Sequence, residues 1–354
     1  VNAELDGRLG VACARPAPRK FHAAWSATGK EYRYRLALGE VPGWEHCAWR
    51  VELDPARLEA LVPGDMMGLK PNRQRYTLLL NQAGGIIDDL MVANMGNRLA
   101  LVVNAANKAQ DFAHLGATLG DAVSELPGRA LLALQGPKAA AIMATLCPEA
   151  AALPFMGATE APVGGIPALS TRSGYTGEDG YEISVAAGDA EALAEKLIAA
   201  GAVPAGLGAR DSLRLEAGLC LYGHDMDDSI DPVEANLVWS MGKRRKEAGD
   251  YPGAARIGKH LQDGASKKRV GLRPEGRAPA REGTEIADKT GRVVGRVTSG
   301  GFGPSLNAPL AMGYVEKDFA ANGTKLDLIV RGKALGAEVV AMPFVPNRYK
   351  RAKK

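Results

Sequence analysis

The chain has 354 residues, of which 46% are hydrophobic and 24% charged. That is a globular balance, which excludes a wholly disordered chain or a long coiled coil and leaves room for two or three domains. Aromatic residues, at 5%, are sparse for a protein that stacks bases along a groove. No apolar run reaches the ~18 residues of a membrane span, and no charged-then-apolar leader opens the chain. Cys13, Cys47, Cys147 and Cys220 lack any C-x-x-C spacing, so a reducing, cytoplasmic setting is expected rather than a disulfide framework or a zinc ribbon. Val1 in place of Met points to a processed or truncated product.

The net charge of +4 is unevenly spread: residues 1 to 62 carry +1, residues 63 to 255 carry −8, and residues 256 to 354 carry +11. A basic C-terminal third suits an acidic protein, a nucleic acid or a polyanionic small molecule, and equally a solvated tail.

In chain order, the alternation of Tyr32-Arg-Tyr-Arg-Leu-Ala-Leu predicts a strand, and Asp54 to Val62 a short helix with Asp54 as N-cap and Pro55 in the first turn. Arg75–Leu80, Ile86–Val92 and Arg98–Asn104 read as strands of an antiparallel meander. Asn107–Leu119 reads as an amphipathic helix. Ala130–Leu134 is a predicted strand, followed by a helix opening at Gly136-Pro137. Ile183–Ala186 then reads as a strand and Asp189–Ala200 as a helix. Without regular β-α-β alternation, the fold class is α+β, with antiparallel sheets and packed helices. Beyond Ser266, short strands at Val270–Leu272, Val293–Val297, Ala311–Val315, Lys325–Val330 and Ala337–Ala341 predict a small C-terminal β-barrel or sandwich.

Asp88 and Asp89 lie within an apolar stretch. In a strand their carboxylates point to opposite faces, so at most one faces a pocket, and an enclosed carboxylate must be paired, hydrogen-bonded or protonated. Turn chemistry after Gly84-Gly85 is the competing reading. Gly174-Tyr-Thr-Gly-Glu-Asp-Gly-Tyr-Glu suits either a loop whose backbone approaches a ligand or a tight surface turn. It is neither a Walker loop nor G-x-G-x-x-G. Arg210, near the start of a predicted helix with Arg214 and Glu216, is free to grip a carboxylate or to serve an exposed structural face. The five histidines show no ligand spacing, so no metal is expected. Cys220, between Leu219 and Leu221, reads as a buried inert thiol. Lys243-Arg-Arg-Lys reads as a solvated face or a docking patch.

From about Leu61 to Tyr349 the chain resembles the aminomethyltransferase family of the glycine cleavage system, the T-proteins. The resemblance is carried by Arg75-Tyr-Thr-Leu-Leu-Leu-Asn, Gly84-Gly-Ile-Ile-Asp-Asp-Leu, Val102-Val-Asn-Ala, Leu134-Gln-Gly-Pro, Ser173-Gly-Tyr-Thr-Gly-Glu-Asp-Gly-Tyr-Glu-Ile, Ala209-Arg-Asp-Ser-Leu-Arg-Leu-Glu-Ala-Gly-Leu, Gly242-Lys-Arg-Arg, Val297-Thr-Ser-Gly-Gly-Phe and Met342-Pro-Phe-Val-Pro. It implies transfer of a methylene group from an aminomethyl-lipoyl carrier protein, the H-protein, to tetrahydrofolate as co-substrate, with release of ammonia. It implies no metal, no membrane and no nucleic-acid partner. Asp89 matches the family's key Asp, with Asp88 facing away. Tyr76, Asn104, Tyr175, Glu182, Arg210 and Tyr349 match its folate or substrate pocket.

Residues 1 to 58 instead resemble an internal piece of a TruA-type tRNA pseudouridine synthase, through Val1-Asn-Ala, Phe21-His-Ala-Ala-Trp-Ser-Ala-Thr-Gly-Lys-Glu-Tyr-Arg-Tyr and Trp49 to Leu58. Tyr32 would be that family's ring partner, but its catalytic Asp is absent. The expectation is a chimera with a foreign segment at 1–60, a folate-binding core at 61–265 and a barrel at 266–354. Two other outcomes are an inactive folate-binding relative and an RNA-modifying protein.

Overall fold

The computed structural model describes residues 48–51 and 55–351. The predicted strand at Tyr32, the Asp54 cap and most of the pseudouridine-synthase resemblance lie outside these residues.

Strand β1 (Ala48–Val51) and helix α1 (Pro55–Glu59) lead into a meander of β2 (Arg73–Leu80), β3 (Ile86–Asn94) and β4 (Leu99–Val103). Helix α2 (Lys108–Leu119) and strand β5 (Val123–Glu125) follow. The sheet order is β2-β3-β4-β1-β5, antiparallel at each pairing. Residues 48–51, read from sequence as part of the first segment, are thus built into the sheet of the next. Arg57 of α1 donates to Thr118 O and Leu119 O at 3.2 and 2.9 Å. It thereby satisfies carbonyls at the C-terminal end of α2, where a cation is favoured.

Leu78, Leu79 and Leu80 are all fully buried, because β2 is covered on both faces. Leu79 packs with Leu58, Leu90 and Leu115, while Leu78 and Leu80 pack with Ile86, Met226 and Ile257. A strand covered on both sides reads as a continuous apolar run rather than an alternation.

A second sheet, β6-β9-β8-β7, is built from β6 (Arg129–Gln135), β7 (Ala158–Glu160), β8 (Leu169–Thr171) and β9 (Gly180–Ala186). Its core includes side chains from α3 (Ala139–Leu146), α4 (Pro148–Ala152) and α5 (Ala190–Ala199). Helices α6 (Leu207–Glu216), α7 (Lys243–Ala248) and α8 (Ala254–Asp263) come next.

The last region closes as a barrel, β10-β13-β12-β11-β14-β15. Its strands are β10 (Lys267–Pro274), β11 (Glu285–Ala287), β12 (Val293–Gly303), β13 (Ala308–Glu316), β14 (Lys325–Val330) and β15 (Lys333–Val340). The structure is α+β with antiparallel sheets and a C-terminal barrel, as read from sequence; closure removes the exposed sheet edges. Buried Arg214 ties α6 to the barrel. It donates to Asp225 Oδ2 at 2.8 Å and to Ser299 Oγ at 2.9 Å, and Asp225 also accepts from Thr298 at 2.6 Å.

Candidate functional site

Asp88 and Asp89 both lie in β3, directly after a bulge: Leu79 faces Asp88 while Leu80 faces Ile86, leaving Ile87 as the extra residue. A bulge re-aims the side chains beside it. Asp88 is fully enclosed and Asp89 partly exposed. Alternation would separate them, yet one residue reaches both. The two protons of the Asn104 side-chain amide go one to Asp88 Oδ1 at 2.8 Å and one to Asp89 Oδ1 at 2.6 Å. The Asn104 backbone N–H donates to Asp88 Oδ2 at 3.2 Å, and Asn107 Nδ2 to Asp88 Oδ1 at 2.9 Å.

Burial, reinforced by the neighbouring Asp88 charge, pushes the Asp89 carboxyl up to about 6, against the stabilising hydrogen bonds of Asn104 and Tyr76. Near neutral pH such a group is mostly ionised but poised to take a proton, which suits acid–base chemistry. Burial and the Asp89 charge together hold the Tyr76 phenol well above its ordinary range.

Around Asp89 the structure gathers Tyr76, Asn104 and Tyr175, with Arg210 behind. Tyr175 lies close enough for the Asp89 charge to raise its phenol further, after burial, and its hydroxyl donates to Cys220 O. The exposed Arg210 guanidinium lies 4.5 Å from the Tyr175 ring centroid, a cation–π contact that leaves its fork open to a carboxylate. Glu182 accepts from Ser173 Oγ at 2.8 Å. It also lines a cleft of about 340 Å³ together with Arg98, Ala100, Val102 and Arg129. Ala100 and Val102 share the β4 face that leads toward Asn104. Tyr349 is stacked on Phe155 with centroids 4.1 Å apart and planes at 6°. Burial raises the Cys220 thiol to about 12, which keeps it inert.

Two sequence features take on a different meaning. Gly174 and Gly180 leave room for a neighbouring side chain: a Cβ at Gly174 would lie 1.8 Å from Gln135 Oε1. Gln135 Nε2 donates to Ser173 O at 3.0 Å and to Tyr181 O at 3.1 Å, pinning both ends of the loop that presents Tyr175. In Lys243-Arg-Arg-Lys, the two arginines are structural. Arg244 pairs with Glu59 and Asp65, and buried Arg245 donates to Glu59 O, Val62 O and Asp250 O. Lys243 is exposed, and Lys246 is half-buried.

The residue that sequence reasoning missed most clearly is Trp239. It is 63% exposed and stacks on Tyr76 at 5.2 Å, a large aromatic face open beside the Asp89 group. Its signal was faint, since a lone Trp in a loop has no periodicity. Among the described residues no cluster of three His, Cys, Asp or Glu side chains forms a metal site, and no helix is long and apolar enough to cross a membrane.

The GCVT N-terminal domain family model matches residues 55–245, more than half of the chain. The chain belongs to the glycine cleavage T-protein family. The Glycine cleavage T-protein C-terminal barrel domain matches residues 267–346, the barrel seen here. The mitochondrial aminomethyltransferase of Gallus gallus is 47% identical over 307 residues, covering 84% of this chain and 78% of that protein. The Dictyostelium discoideum mitochondrial aminomethyltransferase is 42% identical over 314 residues, covering 83% and 78%. A crystal structure of the glycine cleavage system aminomethyltransferase T from Bartonella henselae matches with a TM-score of 0.80 at 42% identity, covering 87% of this chain and 86% of that one. This T-protein family member is an aminomethyltransferase. The comparisons lend no support to a pseudouridine-synthase origin for residues 1–58, and the mitochondrial names of these relatives do not carry over a cytoplasmic location.

Proposed function

We propose that the protein moves a methylene group from the aminomethyl-dihydrolipoyl arm of a carrier protein to tetrahydrofolate, releasing ammonia and leaving the dihydrolipoyl arm. The supporting observation is a half-buried carboxylate, Asp89, held by Asn104 at 2.6 Å and raised to about 6, in a chain of this family. In the reaction a folate nitrogen attacks an iminium-like carbon. Asp89 stabilises that positive charge and accepts the proton that the nitrogen gives up as its bond to carbon forms. Tyr76, Asn104 and Tyr175 shape the pocket around it. Glu182 offers hydrogen bonds to the amine edge of the pterin, Arg210 receives a carboxylate of the co-substrate, and Tyr349 supplies a pocket wall.

The folate-binding core in this reading runs over 61–265, with β1 and α1 added to it, and the small barrel over 266–354. The partner is a lipoyl carrier of the H-protein kind, whose encounter the basic C-terminal third steers. A cytoplasmic location belongs to the same proposal, supported by the free, buried Cys147 and Cys220.

Asp89→Asn tests the assignment, because it keeps size and removes charge. Turnover of a folded variant is expected to fall by about a hundredfold or more; unchanged turnover would remove Asp89 from the chemistry.

A further inference from the structure

Behind Asp89 lies a third carboxyl group that ordinary pairing leaves unexplained. Asp111 stands in the first turn of α2 with its side chain fully buried. Among the described residues, neither of its oxygens receives a hydrogen bond. Its polar neighbour is the carboxyl of Asp88, also fully buried and within hydrogen-bonding reach. Asp88 already accepts from the Asn104 backbone N–H on Oδ2 and from the Asn104 and Asn107 amides on Oδ1.

Two ionised carboxylates within hydrogen-bonding reach in a buried site, with no cation paired to either among the described residues, repel strongly and cannot both be desolvated. One proton shared across the pair turns the repulsion into a strong hydrogen bond. Asp88 is the member supplied with donors, so it keeps the charge, and Asp111, which has none, keeps the proton. We propose that Asp111 is a positioning residue, an un-ionised acid at neutral pH whose O–H donates to Asp88 and so fixes the chain Asp111–Asp88–Asn104–Asp89.

The titratable surroundings agree with this assignment. Burial, with Asp88 and then Asp89 adding to it, pushes the Asp111 carboxyl up to about 9. From α2 itself, His114 lies one turn further on; burial pulls its imidazole down, so it brings no positive charge. Lys108 begins the same helix. From the segment after α6, the Tyr222 phenol is raised to about 12, by burial first and then by Asp88, Asp228, Asp227 and Asp111. From β2, Tyr76 meets Asp89 at the far end of the chain.

An un-ionised acid serves here where an anion would not. It adds a donor without adding a second charge under Asp89. Asn104 therefore divides its amide between one buried anion and the Asp89 carboxylate, instead of being drawn wholly toward a doubly charged pair.

The test compares Asp111→Asn with Asp111→Ala in the full chain. Asparagine mimics the protonated acid, with an N–H donor toward Asp88 and no charge at any pH; alanine removes the donor. The expected result is turnover close to wild type in Asp111→Asn, with Asp111→Ala slower by about tenfold or more through misplacement of Asn104. Its acidic limb in the pH–rate profile should also be displaced.

The turnover arm rests on the proposed aminomethyl transfer, so two further readouts stand free of it. The infrared difference spectrum of wild type minus Asp111→Asn should show the carbonyl stretch of an un-ionised carboxyl at neutral pH. A carboxyl raised from 3.8 to about 9 on folding contributes stability that is complete below the unfolded value and lost as pH rises toward the folded one. Wild type should therefore lose melting temperature relative to Asp111→Asn between about pH 5 and 9. Absence of the carboxyl band at neutral pH, or an Asp111→Asn variant as impaired as Asp111→Ala, overturns the proposal. Wild-type protein that releases no ammonia yet shows the band and the melting difference would sink the aminomethyl-transfer reading and leave Asp111 as assigned.

Discussion

The side-chain amide of Asn104 donates to the Asp89 carboxylate at 2.6 Å, and this bond lowers the Asp89 pKa against the burial that raises it to about 6. Asn104→Ala removes the bond, so the carboxyl climbs further and is ionised in a smaller fraction of molecules at neutral pH. If Asp89 works as a carboxylate, activity disappears as pH falls through its pKa. The acidic limb of the pH–rate profile is then expected near pH 6 in wild type and higher in Asn104→Ala. An acidic limb that stays in place would mean that Asn104 does not govern Asp89.

Trp239 should matter to binding far more than to folding. Its ring is 63% exposed and stacks on Tyr76, so Trp239→Ala is expected to leave stability within about 0.5 kcal/mol. A flat heterocycle docking on that face would lose about 1 kcal/mol of stacking, roughly fivefold in affinity. Calorimetric titration with tetrahydrofolate measures it; identical affinities would place the pterin elsewhere.

Arg214 and Asp225 form a buried pair, exposed 5% and 0% at their side chains. Leaving Asp225 uncompensated is costly, so Arg214→Met is expected to destabilise by about 3–5 kcal/mol. The double change Arg214→Met with Asp225→Leu should recover part of that loss. Urea unfolding of the three variants reads the difference, and a loss under about 1 kcal/mol for the single change would contradict the buried-pair account.

The basic run divides into two kinds of residue. Lys243 is 89% exposed at its side chain, and Lys246 is half-buried but, among the described residues, makes no ion pair with the arginines' partners. The double variant Lys243→Ala, Lys246→Ala is therefore expected to keep wild-type stability while slowing association with an acidic lipoyl carrier. That slowing should shrink as salt rises, since the field of exposed charges is screened within ~8–10 Å. Arg245→Ala should instead unfold the protein at lower denaturant, because its guanidinium is buried under Glu59 and Val62 carbonyls. Stopped-flow association at two ionic strengths decides; a rate indifferent to salt and to both lysines would remove steering by this patch.

The strands β2, β3 and β4 were legible as apolar runs of strand length bounded by turn residues, and the helix α2 because Phe112, Leu115 and Leu119 repeat at helical spacing. The sequence could not reveal β7, β8 and β11, three residues each, which are too short to show a period and exist through pairing with longer neighbours. Helix α8 escaped because its apolar positions are few and Ile257 is its buried anchor. At the site, Asp89 stood out as a carboxylate in an apolar strand. The partnership of Asn104 with both Asp88 and Asp89 depends on the bulge at Ile87 and on the turn after β4, and neither leaves a mark in residue spacing. The glycines at 174 and 180 looked like a ligand-approach loop because sequence gives no sign that Gln135, some forty residues earlier, fills the space beside them.

The most direct measurement is ammonia release from an aminomethylated lipoyl carrier, followed with and without tetrahydrofolate, for wild type and for Asp89→Asn of matched melting behaviour. The expected result is release by wild type that depends on tetrahydrofolate and is lost in Asp89→Asn. Release that ignores tetrahydrofolate, or that persists undiminished without the Asp89 charge, would contradict a methylene transfer organised by this carboxylate.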